Sequence, residues 1–176
     1  MARSKKPKKG PAPAARGSTH LYTLDVQLIG GPVTDVFIDK NPVVSRTIQI
    51  RGDQTLEDLH FAIFDAFERD EEHMYEFQFG KKPMDRGARR YTMSGPFLDE
   101  EPGAGAVEDT TIDSLGLEAR GKFYYWFDFG DDWWHQITVK AVEDQVPPGK
   151  YPKVTEKVGE SPPQYPDYDE DDEEAE

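Results

Sequence analysis

Cysteine is absent from this sequence. Its absence excludes a disulfide framework, a thiolate zinc site and a cysteine nucleophile, and it fits a reducing compartment, so we expect a cytoplasmic protein. No uninterrupted apolar run is long enough to span a bilayer, and the basic N-terminus is not followed by the apolar stretch of a signal peptide. We therefore expect neither secretion nor membrane insertion.

The short motifs of common enzyme classes are also missing. The sequence has no G-x-S-x-G nucleophile elbow, no G-x-x-x-x-G-K-[ST] phosphate loop, no H-E-x-x-H zinc motif and no dinucleotide fingerprint. Hydrolase and nucleotide chemistries are disfavoured, and the balance leans away from an enzyme. No cofactor is predicted, with a divalent metal as the one exception considered below.

Charge is abundant, and the two ends of the chain carry opposite signs. The formal net charge is -14, yet residues 1–18 contain no acid and residues 167–176 contain eight acids and no base. Such like-charged segments cannot bury enough apolar surface to order, so we expect two disordered tails around one domain at residues 19–166. The basic arm, residues 3–16, could associate with nucleic-acid phosphates, but a solvated tail is the competing interpretation. Its bases are Arg3, Lys5, Lys6, Lys8, Lys9 and Arg16.

Alternating apolar residues predict three strands, at LYTLDVQLI, VVSRTIQI and HMYEFQF. Arg46 interrupts the apolar face of the second strand, and we expect it at the edge of that face. Between the second and third strands, TLEDLHFAIFDAFER predicts a helix with Thr55 as N-cap and Asp58 as its capping partner. The order strand, strand, helix, strand is typical of a β-grasp-like start, with two strands before any helix. The apolar stripe of the helix is Leu56, Leu59, Ile63 and Phe67.

The second half of the chain predicts a long irregular loop at 80–109 and then a helical turn at TTIDSLG, capped by Thr110 or Thr111. KFYYWFDFGDDWWHQITVKAV predicts an aromatic β-hairpin, and the proline-rich residues after it predict an extended strap. The expected fold is α+β: a mixed or antiparallel sheet with one main helix, a β-grasp-like start and a C-terminal aromatic hairpin.

Three segments together carry a resemblance to a known family. TLEDLHFAIFDAF with DEEHMYEFQF, FYYWFDFGDDWWHQITV, and YPKVTEKVGESPPQYP resemble the plasmid pRiA4b open-reading-frame-three-like family, over about residues 20 to 168. FDFGDDWWH is the most specific piece, since its residue types are uncommon and rarely occur together. The resemblance implies an α+β domain, and the family has no established activity to transfer.

The hairpin holds the candidate site. If Gly130 and Asp131 form a two-residue turn, Trp126 lies opposite His135, and Asp128 comes within hydrogen-bonding distance of His135 on the same face. Trp133 then lies on that face too. The candidate binding surface is Trp126, Asp128, Asp131, Asp132, Trp133, Trp134 and His135.

Two functional hypotheses follow, beside a structural one. The first is a binding or interaction module for an unknown protein or small-molecule partner, because the aromatics exceed what a small core needs. The second is a metal-dependent enzyme, whose candidate ligands are Asp128, Asp131, Asp132 and His135, completed by His73 and Glu76. In the structural interpretation the aspartates form the turn and His135 is a satisfied core histidine. His60, on the helix stripe, could point toward the centre that His73 faces, although a core histidine bonded to a backbone carbonyl is the simpler interpretation.

Overall fold

The structure is a computed structural model that describes residues 19–95 and 103–167. Those residues form eight strands, two α-helices and two short 3-10 turns, at Val107–Asp109 and Asp113–Leu115. The strands and helices in chain order are β1 (Leu21–Gly30), α1 (Asp35–Lys40), β2 (Ser45–Arg51), α2 (Leu56–Ala66), β3 (Tyr75–Phe79), β4 (Arg89–Thr92), β5 (Gly105–Ala106), β6 (Lys122–Phe127), β7 (Trp133–Glu143) and β8 (Lys153–Val158). The predicted basic arm and all but the first residue of the predicted acidic tail lie outside the described residues.

All the strands belong to one sheet, in the order β5-β4-β3-β6-β7-β1-β2-β8. Neighbouring strands are antiparallel except β4 and β5, which are parallel. The predicted α+β class, with a mixed sheet and one main helix, is confirmed. The strand-strand-helix start is consistent with the structure, while β3 is separated from β1 and β2 by β6 and β7.

The helix α2 covers one face of the sheet, which we call the inner face. It begins at Leu56 because the Thr55 side chain accepts a hydrogen bond from Asp58 N, and the Asp58 carboxylate accepts one from Thr55 N. The predicted stripe packs into the core with the alternating apolar residues of β1, β2, β6 and β7. A fully buried Leu or Ile contributes about 1.5–3 kcal/mol relative to an exposed one, so this stripe determines which side of α2 faces the sheet.

Three regions of the chain differ from the sequence predictions. A short helix that the sequence did not predict, α1, lies between β1 and β2; none of its residues is buried, so no apolar stripe reveals it. Part of the predicted loop at 80–109 pairs as β4 and β5. Within the proline-rich stretch, Lys153–Val158 is free of proline and forms the exposed edge strand β8.

The helical turn before β6 is also present, with a different start. It is a 3-10 turn at Asp113–Leu115 whose N-cap is Ile112, without a side-chain cap hydrogen bond, instead of Thr110 or Thr111. Gly116 ends it in the left-handed region, at φ 65°.

Arg46 is fully buried on β2, so its predicted place at the edge of the apolar face is wrong. Its guanidinium donates to the backbone carbonyl of Ala66, at the end of α2, and to those of Val158 and Gly159, at the end of β8. It also donates to the carbonyl of Ser45 and to the Ser161 hydroxyl. Arg46 therefore joins β2, the end of α2 and the end of β8 through backbone carbonyls.

Candidate functional site

The turn of the β6–β7 hairpin is longer than predicted. Residues 128–132 connect the strands, and Asp128 and Asp132 both adopt positive φ, at 59° and 56°. The Asp128 carboxylate accepts hydrogen bonds from Gly130 N at 3.0 Å and Asp131 N at 3.2 Å. Asp128 O accepts one from Asp132 N at 2.7 Å. The turn is therefore shaped by aspartate bonds to its own backbone, which a two-residue turn could not accommodate.

This turn shifts the pairing by one residue from the predicted register. Trp126 pairs with Trp134, and Tyr125 pairs with His135. Because side chains alternate between faces, a one-residue shift separates residues that were expected together. The prediction that Trp126 shares a face with Trp133 and His135 is wrong.

The outer face of the hairpin carries three stacked rings, which we call the aromatic ladder: Phe129, Trp126 and Trp134. The two indole rings are 5.1 Å apart at an interplanar angle of 5°, and Phe129 lies 4.1 Å from Trp126 at 30°. All three side chains are partly exposed. The Trp126 indole N–H donates to Asp132 at 2.9 Å, which fixes the ladder to the turn.

The ladder ends at an uncovered strand position. Trp134 is paired across the sheet with Gly30 of β1, which has no side chain to lie beside the indole. Asp131 and Asp132, on the adjoining turn, are exposed. The outer face of the hairpin thus combines stacked aromatic rings with two carboxylates at one end of the sheet.

The inner face of the hairpin is buried. Trp133 is 0% exposed, and its ring lies so close to Gly31 that a Cβ atom there would be 2.4 Å from Trp133 Cε3. Gly31 also has φ 151°, which side chains rarely adopt, so glycine is required on both grounds. Trp133 and His135 therefore belong to the core, and the predicted seven-residue binding surface is divided between the two faces.

His135 is a neutral, fully bonded histidine. Its Nδ1–H donates to the backbone carbonyl of Tyr125 at 3.1 Å, so Nε2 is the acceptor for Arg69 Nη2 at 2.8 Å. Burial, followed by the positive charge of Arg69, holds the pKa of His135 well below its usual range. The structure places Arg69 between the hairpin and α2, and there is no hydrogen bond between Asp128 and His135.

Arg69 is a site residue that the sequence prediction missed. It follows Glu68, whose left-handed φ of 54° turns the chain after α2, and its side chain is 6% exposed. Its Cζ lies 5.2 Å from the ring centre of Phe67, 4.9 Å from that of Phe127 and 5.0 Å from that of Trp133. Burial lowers the pKa of Arg69 to about 10, so it stays positive at neutral pH. No pattern in the sequence indicates its burial, because Arg at the end of a helix is usually exposed.

His60 is held beside this cluster by side chains. Its Nε2–H donates to the Glu72 carboxylate at 3.0 Å, and its Nδ1 accepts from the Tyr125 hydroxyl at 2.6 Å. The expected bond to a backbone carbonyl is replaced by these two, and the ring stacks on Tyr75 at 3.6 Å. Burial, and then the charge of Arg69, lower the pKa of His60 to about 3; Glu72 is half exposed and does not offset them.

The remaining candidate ligands are dispersed. His73 Nε2 lies 3.4 Å from Asp128 Oδ2 and 2.7 Å from the Tyr165 hydroxyl, whereas Glu76 bonds Gln78. Within residues 19–95 and 103–167, no group of three or more His, Asp or Glu side chains is placed to hold a metal ion. The arrangement brings His73 and Asp128 together and does not favour the metal hypothesis, which stays a prediction.

Comparison with known proteins shows the family of this chain. Residues 36–166 match the family described as Plasmid pRiA4b ORF-3-like protein. The chain belongs to this family. The match includes α2, the hairpin and the segment YPKVTEKVGESPPQYP, which carry the resemblance in the sequence. It begins after β1, so the first strand of this pRiA4b ORF-3-like chain lies outside it.

A solved structure with the same fold comes from an archaeon. The chain is similar to the crystal structure of a protein of unknown function, MM3350 from Methanosarcina mazei Go1, with a TM-score of 0.64 and 21% identity. The similarity covers 83% of this chain and 73% of that one. No curated protein sequence matches this pRiA4b ORF-3-like chain. At this identity the likeness extends to the fold alone.

No helix among the described residues combines the length and the apolar character that a membrane crossing requires.

Proposed function

We propose that this protein is a binding module, and that its aromatic ladder receives a lysine- or arginine-rich segment of a partner protein. The observation that carries the proposal is the partly exposed stack of Phe129, Trp126 and Trp134 beside two exposed aspartates. Stacked rings left open to solvent at the end of a sheet form a rigid platform that loses little entropy when it binds.

Trp134 is the ring best placed to contact a partner. Trp126 lies in van der Waals range of both other rings, whereas Trp134 stacks on Trp126 and has Gly30 as its neighbour on β1. Indole faces attract guanidinium and ammonium groups, by about 0.5–1 kcal/mol at exposed sites and more where water is excluded. A cation placed on Trp134 therefore gains from the ring and from the carboxylates of the turn.

The charge of the whole protein favours the same class of partner. A net charge of -14 attracts cationic segments over a long range and repels polyanions such as nucleic acid. A protein partner is therefore preferred over nucleic acid. Nucleic-acid binding by the basic arm, residues 3–16, would have to overcome the repulsion between this net negative charge and the phosphates.

We also propose that the protein acts in the cytoplasm, where a chain without cysteine loses nothing by being reduced.

The test is a calorimetric titration of the full-length protein with a synthetic peptide of alternating arginine and glycine, carried out at low and at high salt. Trp134→Ala should weaken binding about tenfold, or about 1.4 kcal/mol. Asp131→Asn should weaken it less and reduce its salt dependence.

Phe61→Ala is the matched control, because Phe61 is an aromatic residue that is 49% exposed on α2, away from the hairpin. It should bind the peptide as the wild type does. Equal affinity of Trp134→Ala and wild type, with an unchanged circular dichroism spectrum, would refute the proposal.

A further inference from the structure

Two buried N–H donors beneath the hairpin have no acceptor. Among the described residues, neither Arg69 Nη1 nor Trp133 Nε1 has a hydrogen-bond partner. The two side chains are 6% and 0% exposed, and Arg69 Cζ lies 5.0 Å from the ring centre of Trp133. Buried donors are nearly always satisfied, so two on side chains that pack against each other call for an explanation.

Within residues 19–95 and 103–167, no carboxylate bonds the Arg69 guanidinium directly either. The carboxylate whose charge acts on it is that of Asp128, whose oxygens are engaged by Gly130 N, Asp131 N and His73. Among the side chains that the structure describes, His135 is the acceptor for Arg69, and it is neutral. A buried cation with a neutral partner remains undercompensated, since charges are stable in protein interiors only when paired.

A ligand that supplies both missing elements is an anionic oxygen. A water molecule would accept from one or both donors and leave the charge unbalanced. A carboxylate or phosphate oxygen would accept the same bonds and also neutralise the guanidinium, and arginine is well suited to both groups.

We propose that Arg69 Nη1 and Trp133 Nε1 form a binding site for the carboxylate or phosphate group of a small anionic ligand. Aromatic rings of Phe67 and Phe127 flank the guanidinium. This site lies on the inner face of the hairpin, so it is separate from the aromatic ladder and does not depend on it.

The C-terminal strap, residues 159–167, offers an entrance. Gln164 accepts from Asp70 N and Glu71 N and donates to Glu71 O, directly after Arg69 in the chain. The Tyr165 hydroxyl donates to the Glu71 carboxylate and accepts from His73. Releasing these bonds would free the loop that carries Arg69, so access is controlled by contacts of the strap instead of an open cavity.

The experiment follows the three indole N–H signals of the full-length protein by NMR. Trp126→Phe, Trp133→Phe and Trp134→Phe assign them, and acetate, inorganic phosphate and chloride are titrated at constant ionic strength. We expect the Trp133 signal to move saturably with acetate or phosphate and not with chloride. Preference for acetate or for phosphate identifies the ligand class.

Variants separate the site from nonspecific effects. Arg69→Met should abolish the saturable shift, and Gln164→Ala, which loosens the strap, should retain it and speed exchange. Should Arg69→Met fail to fold, Trp133→Phe must lose the stabilisation against thermal unfolding that the anion gives the wild type.

Two outcomes would overturn the proposal. One is the absence of a saturable Trp133 shift with either oxyanion in both the wild type and Gln164→Ala, which would indicate internal water only. The other is an equal shift in Arg69→Met. Peptide binding at the aromatic ladder is read from Trp134→Ala, so the two proposals can fail separately.

Discussion

Arg46 and Arg69 are both buried beside the same ring, yet they are built differently. Their guanidinium carbons lie 5.0 Å and 5.2 Å from the ring centre of Phe67. Arg46 donates to four backbone carbonyls and a hydroxyl, whereas Arg69 donates to one neutral imidazole and has a donor left over. The same residue type thus appears once saturated and once unsaturated in one core.

The difference separates a structural role from one that leaves binding capacity unused. Arg46 joins α2, β2 and the end of β8, and its bonds account for every nitrogen of the side chain. Arg69 holds His135 and retains both charge and an N–H for another acceptor. Both guanidinium groups are buried, so burial does not distinguish them. The difference is whether every N–H group already has an acceptor, as in Arg46, or one is left to bind a ligand, as in Arg69.

The largest expected effect is the loss of Arg46. Arg46→Met should lower the free energy of unfolding by about 3–5 kcal/mol, because five hydrogen bonds of a buried guanidinium are lost at once. Arg69→Met should cost about 1–3 kcal/mol, since His135 Nε2 is the one acceptor left without a partner. Urea unfolding at neutral pH measures both, and equal losses would contradict the comparison.

The second expected effect is a pH dependence of the free energy of unfolding. It arises from the two histidines next to Arg69, His60 and His135, and has no counterpart around Arg46. The folded-state pKa values of His135 and His60 lie below the unfolded value of about 6.5, so the unfolded chain binds protons first as the pH falls. Their contribution to stability is complete above pH ~6.5 and is lost toward acid, by up to about 1.4 kcal/mol per pH unit for each histidine.

His135→Gln provides an acceptor for Arg69 that does not titrate. The variant should lose stability less steeply than the wild type between pH ~6.5 and ~4.5, while His60 continues to contribute down to its pKa of about 3. Parallel curves of unfolding free energy against pH for the two proteins would show that His135 does not stay neutral in the fold.

The smallest effect is expected at Ser161. Its hydroxyl accepts from Arg46 Nη2 at 2.9 Å, and Ser161→Ala removes one of five acceptors. The cost should be about 0.5–1.5 kcal/mol, because Arg46 keeps its carbonyls. A loss as large as that of Arg46→Met, measured in the same urea titration, would mean that the Ser161 hydroxyl and not the backbone carbonyls holds the guanidinium.

Much of the fold could be predicted because its signals are local. The alternation in β1, the capping pair of Thr55 and Asp58, and the stripe of α2 each occupy one short stretch of sequence. Elements whose burial depends on distant partners were missed: α1 has no buried residue, and β4 and β8 are short strands at or near the edges of the sheet. Pattern alone cannot reveal a strand that has little core to face.

The candidate site was predicted in part. The hairpin is present, but its register depends on Asp128 bonding its own turn, which moved Trp133 and His135 to the inner face and left Trp126 and Trp134 outside. His60 and Tyr125 meet across 65 residues of sequence. No sequence motif marks Arg69 as a site residue, because its burial results from contacts with three rings that lie in separate parts of the chain.

The sequence by itself determined that an aromatic hairpin and one amphipathic helix form the centre of an acidic α+β fold, because period and capping act over a few residues. The tertiary structure alone decided which tryptophan is buried and which arginine is left with a free donor. Those outcomes depend on the register of the hairpin, to within one residue, and on acceptors that lie far away in the sequence. Neither can be predicted from a short stretch of the chain.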